Sequence, residues 1–201
     1  QNVFVRAVVD KQKVYQGEQI NVTFKLYISG VGVSNYTVSK TPSLQGFWSE
    51  EFNLGQQVTL GTENVNGKMY KVGTIRKLAL FPTQAGELEI DPMELDLILQ
   101  VQVKKKRSND IFDQFFGDDP FFNPYTNIQH KIKSPAVKIN VTALPLSDAP
   151  ASYKGSIGKY KMESSISSTK ARTNEPVTLK LVISGEGNIK LIETPEVNLP
   201  N

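Results

Sequence analysis

A single histidine, His130, and the absence of cysteine limit the chemistry open to these 201 residues. Thiol catalysis, zinc–thiolate sites, iron–sulfur ligation and disulfides all need cysteine sulfur and are excluded. A Ser–His–Asp relay would have to run through His130, and no Gly-x-Ser-x-Gly turn is present to offer the serine. The neighbouring carboxylates Glu50 and Glu51 are the residue type that glycoside hydrolysis uses, but in a chain with 20 acids such a pair carries no information. Gly30-Val31-Gly32 follows a strand pattern, opens no helix and lacks the Lys-Ser or Lys-Thr of a phosphate loop. Asp110, Asp113, Asp118 and Asp119 supply oxygen ligands of the kind calcium takes, yet their spacing lacks the alternation of an EF-hand loop. The residues define no catalytic, cofactor or metal site. The expectation is a binding or scaffolding protein, not an enzyme.

The acids at 110–119 belong to a more unusual stretch, Ser108–His130 (SNDIFDQFFGDDPFFNPYTNIQH). Phe112, Phe115, Phe116, Phe121, Phe122 and Tyr125 fall within it, with no Lys or Arg. Structureless loops of this length are uncommon in compact domains unless they carry function or are disordered. The spacing of Ile111, Phe112, Phe115 and Phe116 allows one or two helical turns. Such rings either cover the side of their own domain or dock a partner, because dense phenylalanine is costly to leave in water. We take those six aromatics as the candidate protein-binding residues. A second candidate patch is Phe47 and Trp48, in the compact loop Leu44–Ser49. Trp48 is the only tryptophan and is expected to pack under that loop. Joined with Tyr36, the pair would instead form a stacking platform for carbohydrate or peptide.

The elements that position these groups read as strands. Ile20, Val22, Phe24, Leu26 and Ile28 alternate with Asn21, Thr23, Lys25 and Tyr27, a period-two pattern with one buried face. A turn at Gln16-Gly17-Glu18 leads into it. The same sentence recurs at Thr173–Gly185, where Asn174-Glu175 is followed by Val177, Leu179, Leu181 and Ile183. Ser29-Gly30 lines up with Ser184-Gly185 after a slip of two, which keeps the same face buried. Further strands are predicted at Val3–Val9, at Val31–Ser39, and on the two arms Gln57–Glu63 and Lys68–Phe81. Asn66-Gly67 is the turn between those arms, since both residues tolerate positive φ. A bulge near Gly73 would reconcile the two parities of the second arm. Leu88 and Ile90, then Leu95 to Val103, then Ile132–Val141, complete the first set. No amphipathic helix pattern is present.

The fold class expected is all-β: tandem immunoglobulin-like β-sandwich domains of antiparallel sheets, the second incomplete. Residues 1–144 form the first, with the aromatic and acidic insert at 108–130. Residues 145–151, with Pro145 and Pro150, form a linker, and 152–201 begin the second sandwich. The net charge of +3 is small. The run Lys104–Arg107 reads as a solvated strand end, so no nucleic-acid partner is expected. No stretch of 18 apolar residues crosses a membrane. Gln1 in place of an initiator Met is expected of a processed chain.

Several of these segments resemble the BatD family, the oxygen-tolerance or "Bacteroides aerotolerance" proteins. They are Asp10–Tyr27, Pro42–Phe52 (PSLQGFWSEEF), Leu80–Ile90, the insert around Phe112–Phe122, Ser152–Tyr160 (SYKGSIGKY), Asn174-Glu175-Pro176 and Ile183–Asn188. The resemblance implies an exported protein with several β-sandwich domains in the bacterial periplasm. It implies anchoring to the cytoplasmic membrane through a C-terminal segment absent from this sequence. It also implies envelope or membrane protein partners, among them von Willebrand factor A-type proteins, and no cofactor.

Overall fold

The computed structural model describes residues 2–55, 58–102 and 125–197. The strands, in order, are β1 (Val3–Val9), β2 (Lys13–Tyr15), β3 (Ile20–Ile28), β4 (Gly32–Lys40), β5 (Phe47–Glu51), β6 (Leu60–Val65) and β7 (Lys68–Pro82). They continue with β8 (Gly86–Ile90), β9 (Glu94–Gln102), β10 (Tyr125–Lys133), β11 (Val137–Thr142), β12 (Gly158–Ile166) and β13 (Leu179–Gly187). Among the described residues the fold is all-β, arranged as several open sheets without a closed barrel.

The long strand β7 organises the largest sheet. One of its edges pairs with β3. The other is shared end to end, β6 taking Lys68–Gly73 and β5 taking Leu78–Pro82. β1 closes the far side on β3. Facing this sheet are β10-β9-β4 and β2-β11-β8. One apolar core lies between: Val5, Ile20, Val22, Phe24 and Leu26 from β1 and β3, Leu78 and Leu80 from β7, Leu95 to Leu99 from β9, and Ile90, Ile139 and Val141 from the third sheet. The alternation read from the sequence therefore assigns the buried face correctly on β3 and β9.

Elsewhere the strands depart from expectation. On β7 the bulge expected near Gly73 is present and falls at Ile75: Phe24 pairs with Arg76 and Lys25 with Thr74, leaving Ile75 as the extra residue. This switch puts Val72 on the outer face while Leu78 and Leu80 face the core. The expected loop around Phe47 and Trp48 is strand β5, hidden because its short run pairs only with β7. The sheets are not purely antiparallel. β2 runs parallel to β11, because the chain crosses from one sheet to the other after β1 and arrives beside β11 in its direction. The expected single return strand is two, β10 and β11, separated at Ser134-Pro135, where Ser134 hydroxyl accepts the Met93 amide proton. Tyr125–His130, placed in the insert, are strand. Ile189–Leu191 form a 3-10 turn.

The internal repeat is preserved in geometry. A constant step of 157 residues carries the pair Val5↔Leu26 onto Met162↔Ile183, and Val9↔Val22 onto Ile166↔Leu179. The turns match too. The Glu18 amide donates to Tyr15 O at 3.0 Å, and the Tyr15 amide donates to the Glu18 carboxylate. In the second copy the Glu175 amide donates to Arg172 O at 3.0 Å and the Arg172 amide to the Glu175 carboxylate. Gly17 and Asn174 occupy the same left-handed position, at φ +81° and +68°. Glycine and asparagine are the residues that tolerate it. The register needs no slip: Ser184-Gly185 stand where the first copy has Tyr27-Ile28.

Candidate functional site

Strands β9 and β10 pair without interruption from Glu94↔Lys133 to Gln102↔Tyr125. The chain leaves β9 at Gln102 and re-enters directly opposite, so the excursion 103–124 begins and ends at one rung of the ladder. Hairpin strands are ordinarily joined by two to five residues. Phe112, Phe115, Phe116, Phe121 and Phe122 lie in this excursion, outside the described residues, as do Lys104–Arg107 and the acids at 110–119. Tyr125 is described and is 69% exposed at the foot of β10. It helps to line a cleft of about 830 Å3, with Gly30, Met69, Lys71, Gln100 and Gln102.

The second aromatic patch is divided by the pleat. Phe47 packs against the core. Trp48 points to the opposite face of β5, tilted against Phe81 with ring centroids 5.3 Å apart. It is 38% exposed, so it is not the buried plug expected of it. Tyr36, on β4, packs against the core. The three rings therefore share no face, and the stacking platform is not assembled. Glu50 and Glu51 are divided in the same way. Glu51 accepts two hydrogen bonds from Arg76, which hold its carboxyl below the usual range, and Glu50 pairs with Lys190. His130 sits exposed on β10 opposite Leu97.

An aromatic cluster that the sequence reading passed over lies on the outer face of the large sheet. Phe4 stacks on Tyr27 at 4.7 Å, and Tyr70 meets Phe4 edge-on at 5.1 Å. The Arg6 guanidinium lies over the Phe4 ring at 4.7 Å. The Tyr27 hydroxyl donates to Glu63, which also takes a bond from Lys25. Burial, then that bond to an anion, push the Tyr27 phenol up to about 12. The Lys25 bond draws Glu63 below its ordinary value. The available signal was aromatic residues at the polar parity of two neighbouring strands. These rings are buried and paired, so the cluster braces the sheet. Among the described residues no group of three or more His, Cys, Asp or Glu could hold a metal ion.

The geometry defines a class: an all-β module with a buried sandwich-like core, one of whose hairpins is joined by the aromatic-rich segment 103–124. The family model described as BatD DUF11 like domain matches residues 7–112. That span exceeds half of the chain, and the chain belongs to the BatD family, which is non-catalytic. The matched span runs from β1 into the excursion; the similarity noted at Ser152–Tyr160 and Ile183–Asn188 lies beyond it. Curated proteins give no match to the chain. No helix among the described residues is long and apolar enough to cross a membrane.

Proposed function

We propose that this chain is a non-enzymatic protein of the bacterial envelope that docks other proteins through the excursion 103–124 and Tyr125. The observation carrying this reading is the Gln102↔Tyr125 pair. The sheet closes without the excursion, so the fold gives no reason for its length. Its rings, with the acids at 110–119 and no base beyond Arg107, have the composition of an anchor for a partner's apolar, basic surface. BatD membership and the all-β architecture support an interaction role. We place the protein in the periplasm, tethered to the cytoplasmic membrane, within an aerotolerance complex whose von Willebrand factor A-type members are the partners. The repeat of the β1–β3 hairpin as β12–β13 supports tandem immunoglobulin-like sandwiches, with 145–151 as linker.

The test replaces 103–124 with an Asn-Gly turn and titrates both proteins with a purified von Willebrand A-type domain from the same envelope. Loss of binding in a folded variant is expected. Equal affinity would remove the excursion from the interface.

A further inference from the structure

Two segments singled out in the sequence, QGFWSEEF and KGSIGKY, play no part in that docking surface. They meet in space. Trp48 and Glu50 are two residues apart on β5 and so share its outer face. Lys190, in the 3-10 turn after β13, lies 5.7 Å from the Trp48 ring centroid and donates to the Glu50 carboxylate. Phe81 backs the indole. An aromatic face beside a carboxylate is a receptor for an ammonium group, because both attract cationic charge.

The other flank of the β12–β13 hairpin is attached as well. Ile157, just before β12, fits against the turn at Gly17; a Cβ there would come within 2.7 Å of Ile157 Cδ1. The corner between the two attachments is tightly built. The Tyr160 hydroxyl donates to Ile157 O, and a Cβ on Gly187 would lie 2.3 Å from that hydroxyl oxygen. Asn188, which starts the turn bearing Lys190, is buried.

We propose that Trp48, Phe81 and Glu50 form an ammonium receptor filled by Lys190, and that this clasp, with Ile157 at Gly17, sets the angle between the β12–β13 hairpin and the β1–β11 body. The clasp is partly exposed, so it is sensitive to salt. The screening length falls from about 10 Å at 0.1 M to about 3 Å at 1 M.

Trp48 is the only tryptophan, so its emission reads the clasp directly. In Lys190→Ala the emission should move to the red and acrylamide quenching should rise. Lys190→Arg should retain the wild-type spectrum, and Glu50→Gln should shift it in the same direction as Lys190→Ala. Raising the salt should bring the wild type towards the Lys190→Ala spectrum without moving that variant. Small-angle scattering should give a larger radius of gyration for Lys190→Ala at low salt. Unchanged emission and quenching in Lys190→Ala would overturn the receptor. A shifted spectrum with an unchanged radius of gyration would overturn the clasp's hold on the angle.

Discussion

The first hairpin, β1–β3, and the last, β12–β13, share one turn, one pairing register and one alternation of side chains, yet among the described residues only the first has a sheet against its apolar face. Ile20, Val22 and Phe24 are fully buried, whereas Val177 and Leu179, one step of 157 residues on, are 41% and 43% exposed. The lesson is that local sequence sets the hairpin while burial comes from elsewhere. The turn hydrogen bonds and strand register are the same whether or not a second layer covers the face.

The largest expected difference comes from truncating equivalent positions. Phe24→Ala should cost about 3–5 kcal/mol, because it leaves a cavity in a closed core. Leu181→Ala should cost about 1 kcal/mol or less, since little area returns to water. Urea unfolding followed by Trp48 fluorescence measures the first, and circular dichroism covers both. Equal costs would break the comparison. Next come the turns. Gly17→Ala forces a left-handed Cβ towards Ile157 and should cost about 1–2 kcal/mol. Asn174→Gly should be neutral or slightly stabilising, as its conformation is already the one glycine favours. A loss of stability in Asn174→Gly would show that the turns are less alike than their hydrogen bonds.

The two hairpins should also differ with pH. Tyr27 holds its proton more firmly folded, to about 12, than its ordinary value of 10.0. Its contribution is complete below pH 10 and is lost as the pH rises through 12. Tyr27→Phe should flatten that alkaline decline in melting temperature; an unchanged slope would remove Tyr27 as its source. Ser184 stands in the equivalent place of the second copy and cannot titrate. On the acid side Glu51 and Glu63 are held below their ordinary 4.5, first by hydrogen bonds from Arg76 and Lys25. Burial alone would raise Glu18, but bonds from Lys11 and the Tyr15 amide outweigh it, so Glu18 is lowered as well. Their stabilisation is present above pH 4.5 and fades as the pH falls through the depressed values. The smallest effect is expected at the excursion: replacing 103–124 with Asn-Gly should shift unfolding by no more than about 0.5 kcal/mol.

The fold was legible wherever apolar residues alternate along a strand, whether or not that face is covered. β3, β9 and β13 carry alternations that can be read directly, and Asn66-Gly67 marks its turn with both residues at positive φ. Strands with little apolar signal were not legible. β2 has three residues and pairs in parallel with β11, a partner remote in sequence, and β10 is an edge strand whose side chains are nearly all exposed. The outward position of Trp48 is not legible because the sequence of β5 reads as a loop, and only the pleat separates it from Phe47. The Phe4–Tyr27–Tyr70 cluster was missed because polar parity was equated with solvent. The excursion was visible from composition alone, but its two ends meeting at Gln102↔Tyr125 required the register of β9 on β10.

Amide hydrogen exchange, run with and without a von Willebrand A-type domain from the same envelope, tests the docking claim most directly. We expect new protection across 103–124 and at Tyr125, with the amides of Phe4, Tyr27 and Tyr70 exchanging as before. Binding that protects the outer aromatic face or the β12–β13 hairpin, and leaves 103–124 unaltered, would contradict the account.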